Sequence, residues 1–332
     1  MGEARVAGPG CRHRQPEVLA LTAGSGAVRL SDASVEILGR RLSYRPLEAR
    51  TSDGLRIAAQ DWGDDAAAAG ERRDVLLIHG ISQAYACWFK QLSGPLRERY
   101  RLVTYDLRGH GDSDKPLAAE YYQDGERWAN EVQAVMDAAG LQRPVIVAWS
   151  YGGRVALDYV QHAGGGALAG LVMVAGTSSG QRALFGSAAV SLERIANASD
   201  PAQNIAATAE FLRNCVARPL PEAEQELMLA YNLKVPPAVR AAMGGRPARY
   251  ESVLGSLEVP VLAIHGAADA IVLPAMALYT AKCCPNGRAS IYEGVGHTPF
   301  WEAPGRFGAD LAAYLDALPG PDRGTLSAQR ER

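Results

Sequence analysis

The sequence predicts an α/β fold, a mostly parallel sheet flanked by helices and interrupted by a helical insertion. Two patterns point there. Short continuous apolar runs recur at 74–79, 101–105, 144–149, 168–175, 259–264 and 289–292. Each is one strand long, as expected for strands buried on both faces of a parallel sheet. Segments with helical spacing stand between most of them, at 88–98, 128–139, 152–162, 275–283 and 305–318. This alternation implies right-handed crossovers. The rhythm breaks between 177 and 254, where no buried strand is legible and helical stretches appear at 192–198, 205–217 and 222–233.

In chain order, residues 1–39 read as a poorly ordered extension. Arg12 and Arg14 precede a short apolar run at 18–21, but Gly24 and Gly26 interrupt it before a secretory hydrophobic region could form. Residues 41–50 and 55–62 read as antiparallel strands joined by the turn Ser52-Asp-Gly54. Residues 64–73 form a polar, Ala-rich loop. The α/β core is then 40–176 together with 255–320, the helical insertion is 177–254, and 321–332 is a flexible tail.

Composition narrows the function classes. The chain has 332 residues, 48% of them hydrophobic, enough for a large core. Lys plus Arg number 34 against 36 Asp plus Glu, a net charge of -2. That balance gives no electrostatic case for nucleic acid or an anionic membrane as partner. No run of about 18 apolar residues suggests a transmembrane helix. The five cysteines, Cys11, Cys87, Cys215, Cys283 and Cys284, are odd in number and irregularly spaced. They read as free thiols in a reducing, cytoplasmic setting, with a Cys283–Cys284 vicinal disulfide as the minor alternative. No metal-ligand spacing and no cofactor motif is present, and the oligomeric state stays open.

The densest chemical signal is Ala148-Trp-Ser-Tyr-Gly152, where an apolar strand runs into a serine and a helix follows. A nucleophile on such a strand-to-helix turn needs small residues two before and two after it, because the turn is sharp and its backbone strained. Ala148 and Gly152 fill those places. Alone, Ser150 also admits a reading as a helix N-cap. A nucleophilic serine needs a base and an orienting carboxylate, and on turns of this kind the chain order is Ser, acid, His. Three histidines follow Ser150. His162 sits on the next helix facing solvent, and His265 reads as a structural residue at a strand end. His297, in the Gly-flanked loop Gly294-Val-Gly-His-Thr-Pro-Phe300, is the expected base. Asp269 directly follows a buried strand and is the acidic residue between Glu258 and Glu293. The preceding strand ends in Val174-Ala-Gly-Thr-Ser178, with no carboxylate. Main-chain N–H groups of Ile81 and Tyr151 are the expected oxyanion donors, and Trp88 and Trp149 the expected pocket residues.

These residues closely resemble the α/β-hydrolase family, in its branch of esterases, cofactor-free haloperoxidases (perhydrolases) and epoxide-hydrolase relatives. The matching blocks are Leu76-Leu-Ile-His-Gly80, Tyr105-Asp-Leu-Arg-Gly-His-Gly-Asp-Ser113, Trp149-Ser-Tyr-Gly-Gly153, Ala263-Ile-His-Gly-Ala-Ala-Asp269 and Gly296-His-Thr-Pro-Phe-Trp-Glu302. The resemblance implies an eight-stranded sheet, a catalytic triad of Ser150, Asp269 and His297, and a cap over the site at 177–254. It also implies that 106–113 is a structural turn. Two departures stand out: Ala148 replaces a glycine, and Leu273 separates Val272 from Pro274. Relatives that attack carbon in epoxides or haloalkanes carry Asp at the nucleophile position, whereas Ser150 suits acyl chemistry.

The expected activity is therefore hydrolysis of carboxylic esters, or of a related small acyl substrate, through an acyl-enzyme without metal or cofactor. Lactone opening, perhydrolysis, C–C cleavage and acyl transfer fit the same three residues. So does a small-molecule receptor that keeps them intact.

Overall fold

The computed structural model describes residues 32–63 and 72–320. The expectations for residues 1–31, for most of the 64–73 loop and for the tail beyond residue 320 lie outside the described residues. The sheet has nine strands rather than eight: β1 (Ala33–Ile37), β2 (Arg40–Arg50), β3 (Arg56–Asp61), β4 (Asp74–Ile78), β5 (Arg101–Tyr105), β6 (Val145–Trp149), β7 (Gly170–Val174), β8 (Val261–Gly266) and β9 (Gly287–Tyr292). The additional strand is β1, which lies inside the segment assigned above to the N-terminal extension. The spatial order is β1-β2-β3-β5-β4-β6-β7-β8-β9. The first three strands and the β3–β5 pair are antiparallel, and every pair from β5 to β9 is parallel.

The apolar runs are buried on both faces, as their lack of polar alternation implied. In β4, Leu76 and Ile78 join one core cluster while Val75 and Leu77 join the other. The same two-residue alternation divides β6 into Ile146 and Ala148 on one face and Val145, Val147 and Trp149 on the other. Helices α1 (Gly125–Ala139) and α2 (Tyr151–Ala163) cover the first face. A one-residue register slip in these strands would exchange two packed faces, so register is strongly specified.

Between β7 and β8 the chain forms α3 (Val190–Asn197), α4 (Pro201–Asn214), α5 (Glu222–Leu233) and α6 (Pro237–Met243). Helices α7 (Ala275–Cys283) and α8 (Pro304–Ala317) return to the sheet. The insertion is tied together by Arg240, which is 1% exposed. Its guanidinium donates to Asn232 O at 2.6 Å, to Thr208 Oγ1 at 3.1 Å and to Ile195 O at 3.5 Å. Ile195 and Asn232 lie in the last turns of α3 and α5, so one cation meets the negative ends of two helix dipoles. Burial lowers its pKa to about 10, and it remains charged at neutral pH. The four described cysteines, Cys87, Cys215, Cys283 and Cys284, are free thiols. No helix among the described residues is long and apolar enough to cross a membrane.

Replacing Arg240 by Met removes the cation shared by the last turns of α3 and α5, although Asn232 O keeps the bond from Val235 N at 3.1 Å. The expected outcome is a loss of about 1–3 kcal/mol in urea unfolding.

Candidate active site

The parallel strands end on one edge of the sheet, and the candidate site is built there. Between β4 and β6 the crossovers leave in opposite directions, which opens a crevice at the carboxyl ends of these neighbouring strands. Ile78 of β4 pairs with Ala148 of β6, so the loop after β4 lies beside Ser150.

Ser150 has φ 53 and ψ −118, an unfavourable combination for a residue with a side chain. Three backbone bonds hold it there: Ser150 N donates to Val174 O at 3.0 Å, while its carbonyl accepts from Gly153 N at 3.0 Å and Thr177 N at 3.1 Å. The turn closes only because position 152 lacks a side chain. A Cβ there would stand 2.7 Å from His79 O and 2.8 Å from Ile78 O. Ser150 precedes α2 but makes no side-chain cap bond. Its Oγ lies instead 2.9 Å from His297 Nε2.

His297 Nδ1 is 2.6 Å from Asp269 Oδ2. A carboxylate oxygen only accepts, so Nδ1 carries the proton and Nε2 is left to accept from the Ser150 hydroxyl. Asp269 Oδ1 accepts from Ile271 N at 2.9 Å and from Val272 N at 3.0 Å. Burial by itself raises the Asp269 pKa. His297 and the bond from His265 outweigh that and hold it well below the ordinary carboxylate range. The acid and base loops touch directly, because a Cβ at Gly266 would stand 2.0 Å from Gly296 O.

The base loop is fixed from several sides. His297 N donates to Cys215 O at 2.9 Å, and Trp149 Nε1 donates to His297 O at 2.9 Å. Glu302 accepts from Gly296 N at 3.0 Å, Thr298 Oγ1 at 3.0 Å and Ala217 N at 2.7 Å. Trp149 and Trp88 both pack against Phe300, at centroid distances of 4.9 and 4.4 Å. The two tryptophans thus form the support behind His297.

Tyr151 follows Ser150 and Ile81 follows Gly80, whose Cα faces Ser150 Cβ; neither the Ile81 nor the Tyr151 N–H meets an acceptor among the described residues. Residues 106–113 frame the loop that carries Ile81. Ser82 N donates to His110 Nε2 at 3.0 Å, Leu107 N to His79 Nε2 at 3.1 Å, and Tyr85 N to Asp106 Oδ1 at 2.8 Å. Both imidazoles therefore accept through Nε2 and donate through Nδ1, to Arg108 O and Gly80 O. Burial lowers His79 to about 4 and His110 well below its usual value, while it raises Asp106 to about 6. Arg108 anchors the block through Glu131 at 2.7 Å and Asp53 at 2.9 Å.

His162 is exposed on α2, as expected. His265, expected at a strand end, occupies that place in β8, and its Nε2 is also 2.9 Å from Asp269 Oδ2. Sequence reasoning missed that contact, the Glu302 brace and the Cys215 carbonyl. No sequence signal marked the first, because the residues from His265 to Asp269 run from a strand into a turn, where i, i+4 spacing does not bring side chains together as it does in a helix. Among the described residues no group of three His, Cys, Asp or Glu side chains could hold a metal ion.

Comparison with known proteins bears on the fold. A family model described as the alpha/beta hydrolase fold matches residues 75–304. A non-heme chloroperoxidase of Streptomyces lividans is 27% identical over 290 residues, 80% of this chain and 98% of that protein. A bifunctional esterase/perhydrolase of Acinetobacter calcoaceticus is 27% identical over 290 residues, with coverage of 80% and 98%. The crystal structure of an esterase from a Rhodococcus species superposes with a TM-score of 0.76 at 32% identity, covering 82% of this chain and 99% of that one.

The two buried histidines predict acid sensitivity. Each has a depressed pKa in the folded state, so its contribution is complete above the unfolded value of about 6.5 and is lost as pH falls below it. Asp106, raised to about 6, takes its proton first in the folded state and offsets part of that loss. His110→Gln keeps an acceptor for Ser82 N but cannot titrate. Between pH 7 and pH 5 its urea-unfolding free energy is expected to fall less than that of the wild type.

Proposed function

The chain belongs to the α/β-hydrolase fold family, and from that premise we propose that it is a serine hydrolase of carboxylic esters. The observation that carries this reading is the continuous line from Ser150 Oγ to His297 Nε2 at 2.9 Å and from His297 Nδ1 to Asp269 Oδ2 at 2.6 Å. A base within hydrogen-bond reach of the nucleophile, itself oriented by a buried carboxylate, is what acyl transfer requires.

In this reading His297 takes the hydroxyl proton as Ser150 Oγ attacks the acyl carbon. The N–H groups of Ile81 and Tyr151 hold the oxyanion, and the positive end of α2 adds to them. His297 then gives its proton to the leaving alcohol, and water, activated in turn by His297, releases the acid. Asp269 keeps the imidazole in the Nδ1–H form and stabilises its charge without taking the proton. Trp149 and Trp88 line the wall behind the base, and residues 177–254 act as the cap that shapes the acyl pocket. No step calls for a metal or a redox cofactor.

Perhydrolysis is the second reading. It is favoured by the likeness to the bifunctional esterase/perhydrolase, and it needs only hydrogen peroxide in place of water at the acyl-enzyme.

Ser150→Ala is expected to remove hydrolysis of a 4-nitrophenyl ester panel, by at least about 10³-fold, and to abolish covalent labelling by a fluorophosphonate. Its urea-unfolding midpoint should stay near that of the wild type. Retained turnover in the folded variant would refute the assignment.

A further inference from the structure

Asp269 Oδ2 carries two imidazoles. One belongs to His297 at 2.6 Å, the other to His265 at 2.9 Å. His265 Nε2 is also 2.8 Å from Val272 O. Both neighbours of Nε2 are pure acceptors, so the proton resides on Nε2 and is shared between them. His265 Nδ1 then presents a lone pair, and it is buried without a partner. The side chain is 0% exposed. A side chain present only to fill the end of β8 would be an aliphatic one, which fits the space and strands no ring nitrogen. The bond to the carboxylate is what the histidine adds.

We propose that His265 is a positioning residue for the Ser150–His297–Asp269 line, a proposal that rests on the hydrolase reading above. Its effect is twofold. With Ile271 N and Val272 N on Oδ1 and two imidazoles on Oδ2, all four lone-pair directions of the carboxylate are occupied. Rotation of the carboxylate toward any other orientation breaks several bonds at once, so the base keeps its partner through the reaction. The second donor also draws charge from Oδ2, which tempers the pull of Asp269 on the imidazolium that forms as Ser150 attacks. The proton taken from Ser150 is then held less tightly on His297 Nε2 and passes more readily to the leaving alcohol.

The other titratable groups facing this line are Cys215, whose thiol is pushed up by burial and by Asp269, and Glu302, braced beneath the base loop. Both are left in place by substitutions at His265.

The test compares the full-length wild type with His265→Gln, His265→Asn and His265→Met. The rate of inactivation by a fluorophosphonate is measured from pH 5 to pH 9, together with kcat and KM for 4-nitrophenyl acetate. Gln carries an amide N–H to the place of Nε2, Asn falls short of it, and Met carries none. For Met and Asn the expected result is a fall of about ten- to a hundredfold in inactivation rate and in kcat, with KM little changed. The acidic limb of their pH profile moves to higher pH by about half a unit or more, and Gln recovers most of the wild-type rate and profile. Equal rates and superimposable profiles in the wild type and Met would overturn the proposal, as would a loss in Met that Gln does not recover. Should Met fail to fold, the contrast between Gln and Asn decides in the same way. A wild type inert toward both fluorophosphonate and ester would instead bring down the hydrolase reading, and the proposal with it.

Discussion

The positive φ of Ser150 is the constraint on which the site depends. Strand β6 delivers the residue, α2 departs from it, and the sharp turn between them exposes Oγ at the sheet edge. The conformation costs of order 1–3 kcal/mol, and the surrounding structure has to over-determine it. Bonds to Val174, Gly153 and Thr177 do so, together with the bare Cα of Gly152 against the carbonyls of Ile78 and His79. The sheet must have its β4–β6–β7 order for those partners to be present. Fold and the Ser150 turn are thus one requirement.

Around this point the side chains that matter are held by polar groups that are themselves buried and directional. Each of His79, His110, His265 and His297 has a tautomer set by an acceptor or donor on a neighbouring loop. A buried imidazole can serve as a rigid two-ended strut in this way only while it stays unprotonated on the accepting nitrogen. The two struts beneath the Ile81 loop and the pair on Asp269 use this property differently. The former accept from backbone N–H groups, whereas the latter donate to a shared carboxylate.

Ser150, Asp269 and His297 were legible in the sequence because each sits in a short motif whose local geometry dictates its residue types. Continuous apolar runs likewise revealed the parallel strands with boundaries close to those observed. Strand β1 was not legible: it is a five-residue edge element with two exposed positions, and its pattern is indistinguishable from a polar extension. The contact of His265 with Asp269 was hidden for another reason. Both residues were visible, but the turn after β8 that folds one back onto the other has no periodic signature. The Arg240 hub was equally hidden, because its partners are mostly main-chain carbonyls and carry no side-chain code. Likewise 106–113 read correctly as a structural turn, while its purpose, framing the Ile81 loop, is a tertiary property.

The bond between Ser150 and His297 spans 147 residues of chain. Contacts of such separation form late, because loop closure must precede them. On a chain made from its N-terminus, Ser150 and the whole of β6 are synthesised long before His297. In the proposed hydrolase reading, the growing polypeptide therefore carries an inert alcohol until β8, β9 and their loops have closed the sheet. Under that reading, topology withholds reactivity from partly folded forms.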